Sequence, residues 1–267
     1  MMSKQNFGAA LLLLCGLSVD TLAQNAPTAA AKDGDGDLAS LSTKAQDPLA
    51  KIISVPFLYT RLTGVGPQSA TNQSLTVQPV VPFTINNEWD LITRAIIPLA
   101  DNQSPHDSGL ADTALTAIFS TSLHPGLKVG IGPTLLVPTG SGLLTRNTWA
   151  AGITVGVVNT SGRWVLGALA ANQWNVGGKT SINEFQIQPI INYDFGAKGG
   201  WIFTSSPLIT ANWKAHDNRW RVPLGGGVSV LKLIDKVPMS FSPQLYYNVA
   251  GDHGWEFRMF VRVLLPQ

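Results

Sequence analysis

The chain has 267 residues, of which only 13% are charged, and its formal net charge at pH 7 is +2. So small a charge, without any basic run, gives no support for a nucleic-acid partner. No apolar run is long enough for a membrane-spanning helix. A low proportion of charged residues, combined with the absence of a long apolar run, is typical of a membrane β-barrel. In such a barrel only alternate residues need to be apolar.

The first 23 residues have the pattern of a secretory signal peptide. One lysine precedes an apolar stretch that starts at Phe7, and small or polar residues follow up to Ala23. Ser18 and Asp20 interrupt the stretch before it reaches the roughly 18 residues that a spanning helix needs. We therefore predict secretion, with cleavage after Ala23. The only cysteine, Cys15, would be removed, so no disulfide stabilises the mature chain.

Residues 24–50 are predicted to form a polar linker and a short amphipathic helix. The linker's acidic run, Asp33–Asp37, superficially matches a calcium loop, but Leu38 replaces the required glycine and Lys44 the required glutamate. No metal site is predicted there. Apolar residues recur at helical spacing, namely Leu38, Leu41, Ala45 and Leu49. This helix could lie on the periplasmic side or enter the lumen of a barrel.

From residue 51 onward, apolar and polar residues alternate with the period of two that is typical of β-strands. In the last such segment, Trp255 and Phe257 alternate with Glu256 and Arg258. Most segments reach the roughly nine to eleven residues of a tilted membrane strand. We predict an all-β fold over 51–267, a transmembrane antiparallel β-barrel of about 12 strands with a short N-terminal helix. The predicted strands are 51–63, 72–85, 88–100, 110–122, 127–139, 148–159, 162–175, 180–195, 200–213, 219–233, 237–249 and 254–265.

The predicted connections also differ between the two ends of the strands. Outer-membrane barrels have short periplasmic turns and longer extracellular loops. Short turns such as 86–87 and 160–161 follow even-numbered strands, and longer segments such as 101–109 and 140–147 follow odd-numbered ones. Tryptophans lie near predicted strand ends, where aromatic girdles meet lipid headgroups. The predicted interface residues are Trp89, Trp149, Trp164, Trp174, Trp201, Trp213, Trp220 and Trp255.

Charged residues share the face opposite the apolar one, so we predict that they line the lumen or its mouths. The candidates are Asp90, Arg94, Glu184, Asp194, Arg221, Glu256, Arg258 and Arg262. Two interpretations remain open. The charges pair and brace the wall, for example Glu256 with Arg258 and Arg262, or the arginines favour anionic solutes in a narrow aqueous path. About twelve strands enclose a small or partly plugged lumen.

Two other classes compete with a channel. An outer-membrane hydrolase similar to phospholipase is suggested only by His106-Asp107-Ser108, which lies in a predicted polar loop. The remaining histidines lack metal-ligand spacing, and no glycine-rich nucleotide loop is found. We therefore predict no enzymatic activity, no cofactor and no metal. The other class is a structural barrel with a filled lumen.

Several stretches containing proline recur along the predicted barrel: Gln78–Phe83, Gly132–Gly140, Gln188–Tyr193, Ser206–Trp213 and Val222–Gly227. Together they resemble the family of outer-membrane transporters named for the MetA pathway of phenol degradation, and the similarity extends from about Leu38 to Pro266. The resemblance implies the outer membrane of a Gram-negative bacterium and a transport role. With the arginines, it predicts a channel or transporter for small aromatic or anionic solutes. The expected partners are membrane lipid, such a solute and the barrel-assembly machinery.

Overall fold

The computed structural model describes residues 41–66, 68–103, 106–196, 200–217 and 219–265. The predicted signal peptide, 1–23, and the linker up to residue 40 lie outside the described residues and stay predictions. Residues 41–45 form the short helix near the N-terminus. Within the described ranges, no helix is long and apolar enough to cross a membrane.

Twelve antiparallel strands form the rest of the fold, and four of them are interrupted. They are β1 (Ile53–Val65), β2 (Ala70–Val77 and Val80–Thr84), β3 (Trp89–Gln103), β4 (His106–Leu110 and Thr113–His124), β5 (Leu127–Val137), β6 (Thr148–Ser161), β7 (Trp164–Gly178), β8 (Asn183–Asp194), β9 (Trp201–Ser205 and Ile209–Asn212), β10 (Trp220–Arg221 and Pro223–Ile234), β11 (Val237–Asn248) and β12 (Trp255–Leu265).

The sheet closes on itself. Each strand pairs with its neighbours in sequence, and β12 pairs with β1 in a register that runs from Ile53 opposite Leu265 to Leu62 opposite Glu256. Closure removes the sheet edges that would otherwise leave unpaired backbone groups in lipid. The predicted all-β, twelve-stranded antiparallel barrel with a short N-terminal helix is confirmed.

Side-chain alternation divides the wall into an outer apolar face and an inner face. Along β11, every second residue from Pro238 to Asn248 is buried. In β12, Trp255 and Phe257 are exposed, whereas the intervening Glu256 is buried. Because successive side chains of a strand point to opposite faces, the period of two places the apolar set outside. This is the arrangement that a barrel in lipid requires.

Three prolines lie at or next to interruptions of the strands. Pro79 and Pro207 stand inside the breaks of β2 and β9, and Pro223 follows the break of β10. Proline has no N–H to donate to a neighbouring strand, so it is tolerated where the regular pairing is already broken. Beside Pro79, the Gln78 N–H still donates to the Pro56 carbonyl at 2.9 Å, which keeps the wall connected across that break.

The predicted connections 176–179 and 101–109 both lie largely within strands, and the larger difference is at 101–109. The predicted loop 101–109 is largely strand, because β3 and β4 extend as a hairpin in which Gln103 pairs with His106. The longest connection at that end of the barrel is 138–147, and we call it the loop end. At the opposite end, which we call the turn end, connections are tight at 125–126, 162–163 and 235–236.

Candidate functional site

The N-terminal segment 41–52, which we call the plug, enters the lumen at the turn end. Leu49, only 2% exposed, packs against inward-facing residues of four strands. They are Ile92 of β3, Ile118 of β4, Val158 of β6 and Val165 of β7. The sequence left two positions open for the helical segment, outside the barrel or within it. Because Leu49 is buried among inward-facing residues of the wall, the segment lies within the lumen.

Polar contacts fix the plug from different sides of the wall. Lys128 Nζ of β5 lies 2.7 Å from Asp47 Oδ2 and donates to the Leu49 carbonyl at 3.4 Å. Gln46 Nε2 donates to Ser229 Oγ of β10 at 3.2 Å. Since β5 and β10 are not neighbours in the sheet, these contacts hold the plug across the lumen rather than against one strand.

Two paired glycines leave space for Leu49. Gly130 of β5 lies opposite Gly156 of β6. A Cβ atom at Gly130 would lie 2.5 Å from Ile118 Cγ2 and 3.5 Å from Leu49 Cδ2, and one at Gly156 would lie 2.6 Å from Leu169 Cδ2 and 3.7 Å from Leu49 Cδ1. Side chains at these two positions would therefore clash with the apolar residues that surround the leucine.

Glu256 is held between two arginines on the inner face. The side chain is 2% exposed; its Oε2 accepts from Arg221 Nη2 at 2.5 Å, and its Oε1 accepts from Arg258 Nε at 2.6 Å. Arg258 also donates to the Ser206 carbonyl at 3.0 Å and lies 4.6 Å from the centroid of the Tyr246 ring. A buried carboxylate requires such charge-assisted hydrogen bonds. These three charged residues form what we call the Glu256 network.

Arg262 and Arg94 stand apart from the Glu256 network. From the sequence, Arg262 was one of the expected partners of Glu256. In the structure Arg221 pairs with Glu256, and Arg262 donates to the Ala45 carbonyl of the plug. Arg94 donates to Gln78 Oε1, and its Nε atom is buried without a hydrogen-bond partner. Neither guanidinium forms an ion pair with any residue that the structure describes.

A cavity of about 130 Å³, the lower cavity, lies between the plug and these two arginines. Its lining combines cationic, amide and apolar side chains, among them Lys44, Arg94, Arg262, Gln78, Gln188, Asn192, Gln244, Ile92, Ile118, Phe260 and Leu264. A second cavity of about 290 Å³, the upper cavity, lies towards the loop end. Its lining includes Arg146, Gln173, Glu184, Gln186, Arg219 and Arg221.

The other predicted lumen residues lie near the mouths. Glu184 Oε1 is 2.7 Å from Arg146 Nη1 at the loop end, and Asp90 Oδ1 is 2.8 Å from Lys51 Nζ of the plug. Asp194 Oδ1 accepts the Gly196 N–H at 2.7 Å, which shapes the connection after β8. Their role in passage of a solute stays a prediction.

Sequence reasoning missed Lys128, although a signal was present. Lys128 has the same parity in β5 as Gly130 and Thr134, whose positions face inward. Its partner, Asp47, precedes the barrel by several residues, and nothing local indicates that the plug turns back into the lumen. Strand parity could therefore have placed the lysine in the lumen, but not its ion pair.

All eight tryptophans are exposed, from 38% for Trp89 and Trp213 to 54% for Trp255. Five of them begin a strand, namely Trp89, Trp164, Trp201, Trp220 and Trp255. The remaining ones are Trp149, Trp174 and Trp213. Outward exposure near strand ends is compatible with aromatic girdles, and the role of these residues at the membrane interface stays a prediction.

The residues that suggested a hydrolase have another role. His106-Asp107-Ser108 lies in the first part of β4, not in a loop. Asp107 Oδ2 accepts the Leu143 N–H at 2.5 Å, and its Oδ1 accepts the Ser108 N–H at 2.9 Å. Asp107 therefore ties the strand to the 138–147 connection. No group of three or more metal-binding side chains occurs in the part of the chain that the structure describes.

A family model described as "Putative MetA-pathway of phenol degradation" matches residues 45–231. The chain belongs to this family. The resemblance inferred from the proline-containing stretches is thereby confirmed. The match to the MetA-pathway family begins inside the plug and extends into β10, so it includes Asp47, Lys128 and the paired glycines, whereas Glu256, Arg258 and Arg262 lie beyond it.

Several solved structures align with this chain at low sequence identity and with TM-scores below 0.5. The β domain of the Bordetella autotransporter BrkA aligns with a TM-score of 0.47 and 12% identity, covering 80% of this chain and 100% of that one. The CymD monoaromatic hydrocarbon channel aligns with a TM-score of 0.44 and 11% identity, covering 86% of this chain and 92% of that one. A Pseudomonas aeruginosa FadL homologue aligns with a TM-score of 0.37 and 9% identity, covering 80% of this chain and 88% of that one. These likenesses concern the fold alone. No curated protein matches the sequence.

Proposed function

We propose that this chain is a channel or transporter for small solutes in the outer membrane of a Gram-negative bacterium, with a path through the lumen. The observation that carries the proposal is an incompletely filled polar interior. The lower and upper cavities have volumes of about 130 Å³ and about 290 Å³. They approach each other along β8, where Gln188 lines the lower cavity and Gln186 the upper one. A purely structural barrel has no need for two such spaces.

The Glu256 network stands at the junction of the two cavities. Arg221 lines the upper cavity, and Ser206, whose carbonyl accepts from Arg258, lines the lower one. Glu256 joins the two arginines. The network is therefore the constriction of the proposed path. Ionisable groups at this depth are costly unless they pair or line water. All three charged residues of the network are paired, and Arg221 also lines the upper cavity.

The charges that line the cavities favour anions. In the upper cavity, Arg146 is paired with Glu184, Arg221 shares Glu256 with Arg258, and Arg219 has no carboxylate partner among the described residues. The lower cavity is lined by Lys44, Arg94 and Arg262 and by one acid, Asp47, which is paired with Lys128. Arg94 and Arg262 have no acidic partner among the described residues. A cationic lining raises the local concentration of anions and opposes cations. We therefore propose small anionic solutes, including polar aromatic anions.

Recordings in planar lipid bilayers test this function. The purified full chain should produce discrete conductance steps, and its reversal potential in a KCl gradient should indicate selectivity for chloride over potassium. Protein that was heat-denatured before addition is the control. Insertion without conductance would favour the structural barrel, and release of fatty acid from phospholipid in the same preparation would favour the hydrolase.

A further inference from the structure

We infer that Arg94 and Arg262, in the lower cavity beside the plug, form a binding site for a small monocarboxylate with an apolar body. The inference rests on the proposed function only in treating this ligand as a transported solute. Binding itself requires no conduction, so the two can fail separately.

The first support is the absence of counter-charge at the two arginines. They project from β3 and β12, which are separated in the sheet by β1 and β2, and both line the lower cavity. Each makes a hydrogen bond to a neutral oxygen, of Gln78 in one case and of Ala45 in the other. Placing two like charges together away from bulk water is costly unless an anion joins them.

Most other cations near the lumen contact a carboxylate, and the two cavity-lining cations that do not, Lys44 and Arg219, are exposed. Five lysines and arginines that contact the lumen, its mouths or the plug have a carboxylate partner within 2.8 Å. They are Lys51, Lys128, Arg146, Arg221 and Arg258. Arg94 and Arg262 therefore differ from the paired cations in lacking a carboxylate, and from Lys44 and Arg219 in being largely shielded from solvent.

Unused hydrogen-bonding atoms mark the place of the ligand. Arg94 Nε is buried and has no partner, and Asn192 Oδ1, on a side chain that is 2% exposed, has none either. Both residues line the lower cavity. An arginine presents its donors in a planar fork that matches the two oxygens of a carboxylate. The carboxylate of the ligand would accept from Arg94, and a hydroxyl on its body could donate to Asn192.

The rest of the lining selects an apolar body. The lower cavity is bounded by aliphatic and aromatic side chains, including Val80, Ile92, Ile118, Leu169, Ile190 and Phe260. Its volume of about 130 Å³ approaches the roughly 150 Å³ of an apolar cavity that accepts benzene. A ring or a branched chain of about six carbons therefore fits, whereas inorganic phosphate would leave this surface uncovered.

The test uses the purified full chain in detergent, with benzoate as the probe and calorimetric titration as the readout. Benzoate should bind saturably, and benzyl alcohol, acetate and phosphate should bind at least about tenfold more weakly, because each lacks either the charge or the apolar body. Arg94→Gln and Arg262→Gln should each weaken benzoate binding about tenfold or more, since charge-assisted hydrogen bonds are the strong ones. The benzoate affinity of Arg94→Lys should lie between those of the wild type and Arg94→Gln.

Arg163→Gln is the matched control. It removes the same charge at the turn end, where Arg163 contacts the Phe195 carbonyl at 3.5 Å, and it should leave benzoate affinity unchanged. Thermal unfolding separates lost binding from lost folding. Arg94→Gln should be at least as stable as wild type without ligand, because it removes a charge that lacks an acidic partner. Lower stability of this variant would overturn the inference.

The binding outcomes are equally decisive. Benzyl alcohol or phosphate binding as tightly as benzoate, or benzoate binding unaffected by both glutamine variants, would overturn the site. Benzoate binding without channel conductance would support the site and contradict transport. Conductance without saturable benzoate binding would support the channel and contradict the site.

Discussion

At the scale of single residues, the inner face has two kinds of arginine. Arg221 and Arg258 share one carboxylate, Glu256, at 2.5 Å and 2.6 Å. Arg94 and Arg262 instead contact neutral oxygens. We expect a structural role for the first pair, because removing its shared partner would leave two uncompensated charges. The second pair is the one that we propose to contact a solute.

Glu256→Gln should lower the free energy of unfolding by about 3 kcal/mol, the order expected when one partner of a buried ion pair is removed. Glu256 is 2% exposed and Arg258 is 4% exposed, so solvent screens this loss little. Guanidinium unfolding of the refolded barrel, followed by circular dichroism, measures it. Glu88→Gln, at an exposed residue of the connection between β2 and β3, is the control. Equal stability of both variants would contradict the structural role.

At the scale of elements, the plug determines how far the turn end of the lumen is closed. Its apolar contact is Leu49 against the inner wall, above the paired Gly130 and Gly156. Its charged contact is Asp47 with Lys128. A segment held by one leucine and a few polar contacts is held more weakly than the wall, whose strands pair along their length. Release of the plug should therefore be possible without unfolding of the barrel.

Leu49→Ala should release the plug, because truncating a buried leucine costs about 2–5 kcal/mol. We expect larger conductance steps than in wild type, and faster tryptic cleavage after Lys44 and Lys51. Thermal unfolding of the barrel should change little. Leu41→Ala, at a half-buried position in the same segment, is the control and should change none of these. Wild-type cleavage rates in Leu49→Ala would show that the polar contacts suffice to hold the plug.

At the scale of the whole molecule, the closed sheet gives the chain two different ends and an apolar outer face. The chain enters the barrel at the turn end, and the last strand ends there beside the first, with Ile53 opposite Leu265. Outer-membrane barrels place their short turns in the periplasm. The plug and the lower cavity should then face the periplasm, and the upper cavity should face the outside of the cell.

Cysteine labelling on intact cells tests this orientation. Ser141→Cys, exposed in the 138–147 connection, should react with a membrane-impermeant maleimide. Asn87→Cys, exposed in the tight connection between β2 and β3 at the opposite end, should react only after the outer membrane is permeabilised. The natural Cys15 lies in the predicted signal peptide and should not contribute. The reverse pattern would contradict the orientation.

Much of the wall could be predicted from the sequence alone. The last strand was expected at 254–265 and is Trp255–Leu265, and the alternation of Glu256 and Arg258 with apolar residues placed these charges on the inner face. The family was recognisable from its proline-containing stretches. These properties are local, because the parity of a side chain depends only on its position along its own strand. The error at 101–109 arose because polar residues at the end of a hairpin are held by the partner strand rather than by their own alternation.

Only the tertiary structure decided which inward groups meet. Glu256 contacts Arg221, which is 35 residues away, rather than Arg262, which is on its own strand. Strand parity determines the face of a side chain, but contact across the lumen depends on how strands align around the barrel and on what fills it. The same applies to the plug, because Leu49 and Asp47 find their partners only after the sheet has closed around them. The sequence by itself therefore determined a barrel with charges on its inner face, and the closed structure decided which charges are paired and where a cavity remains.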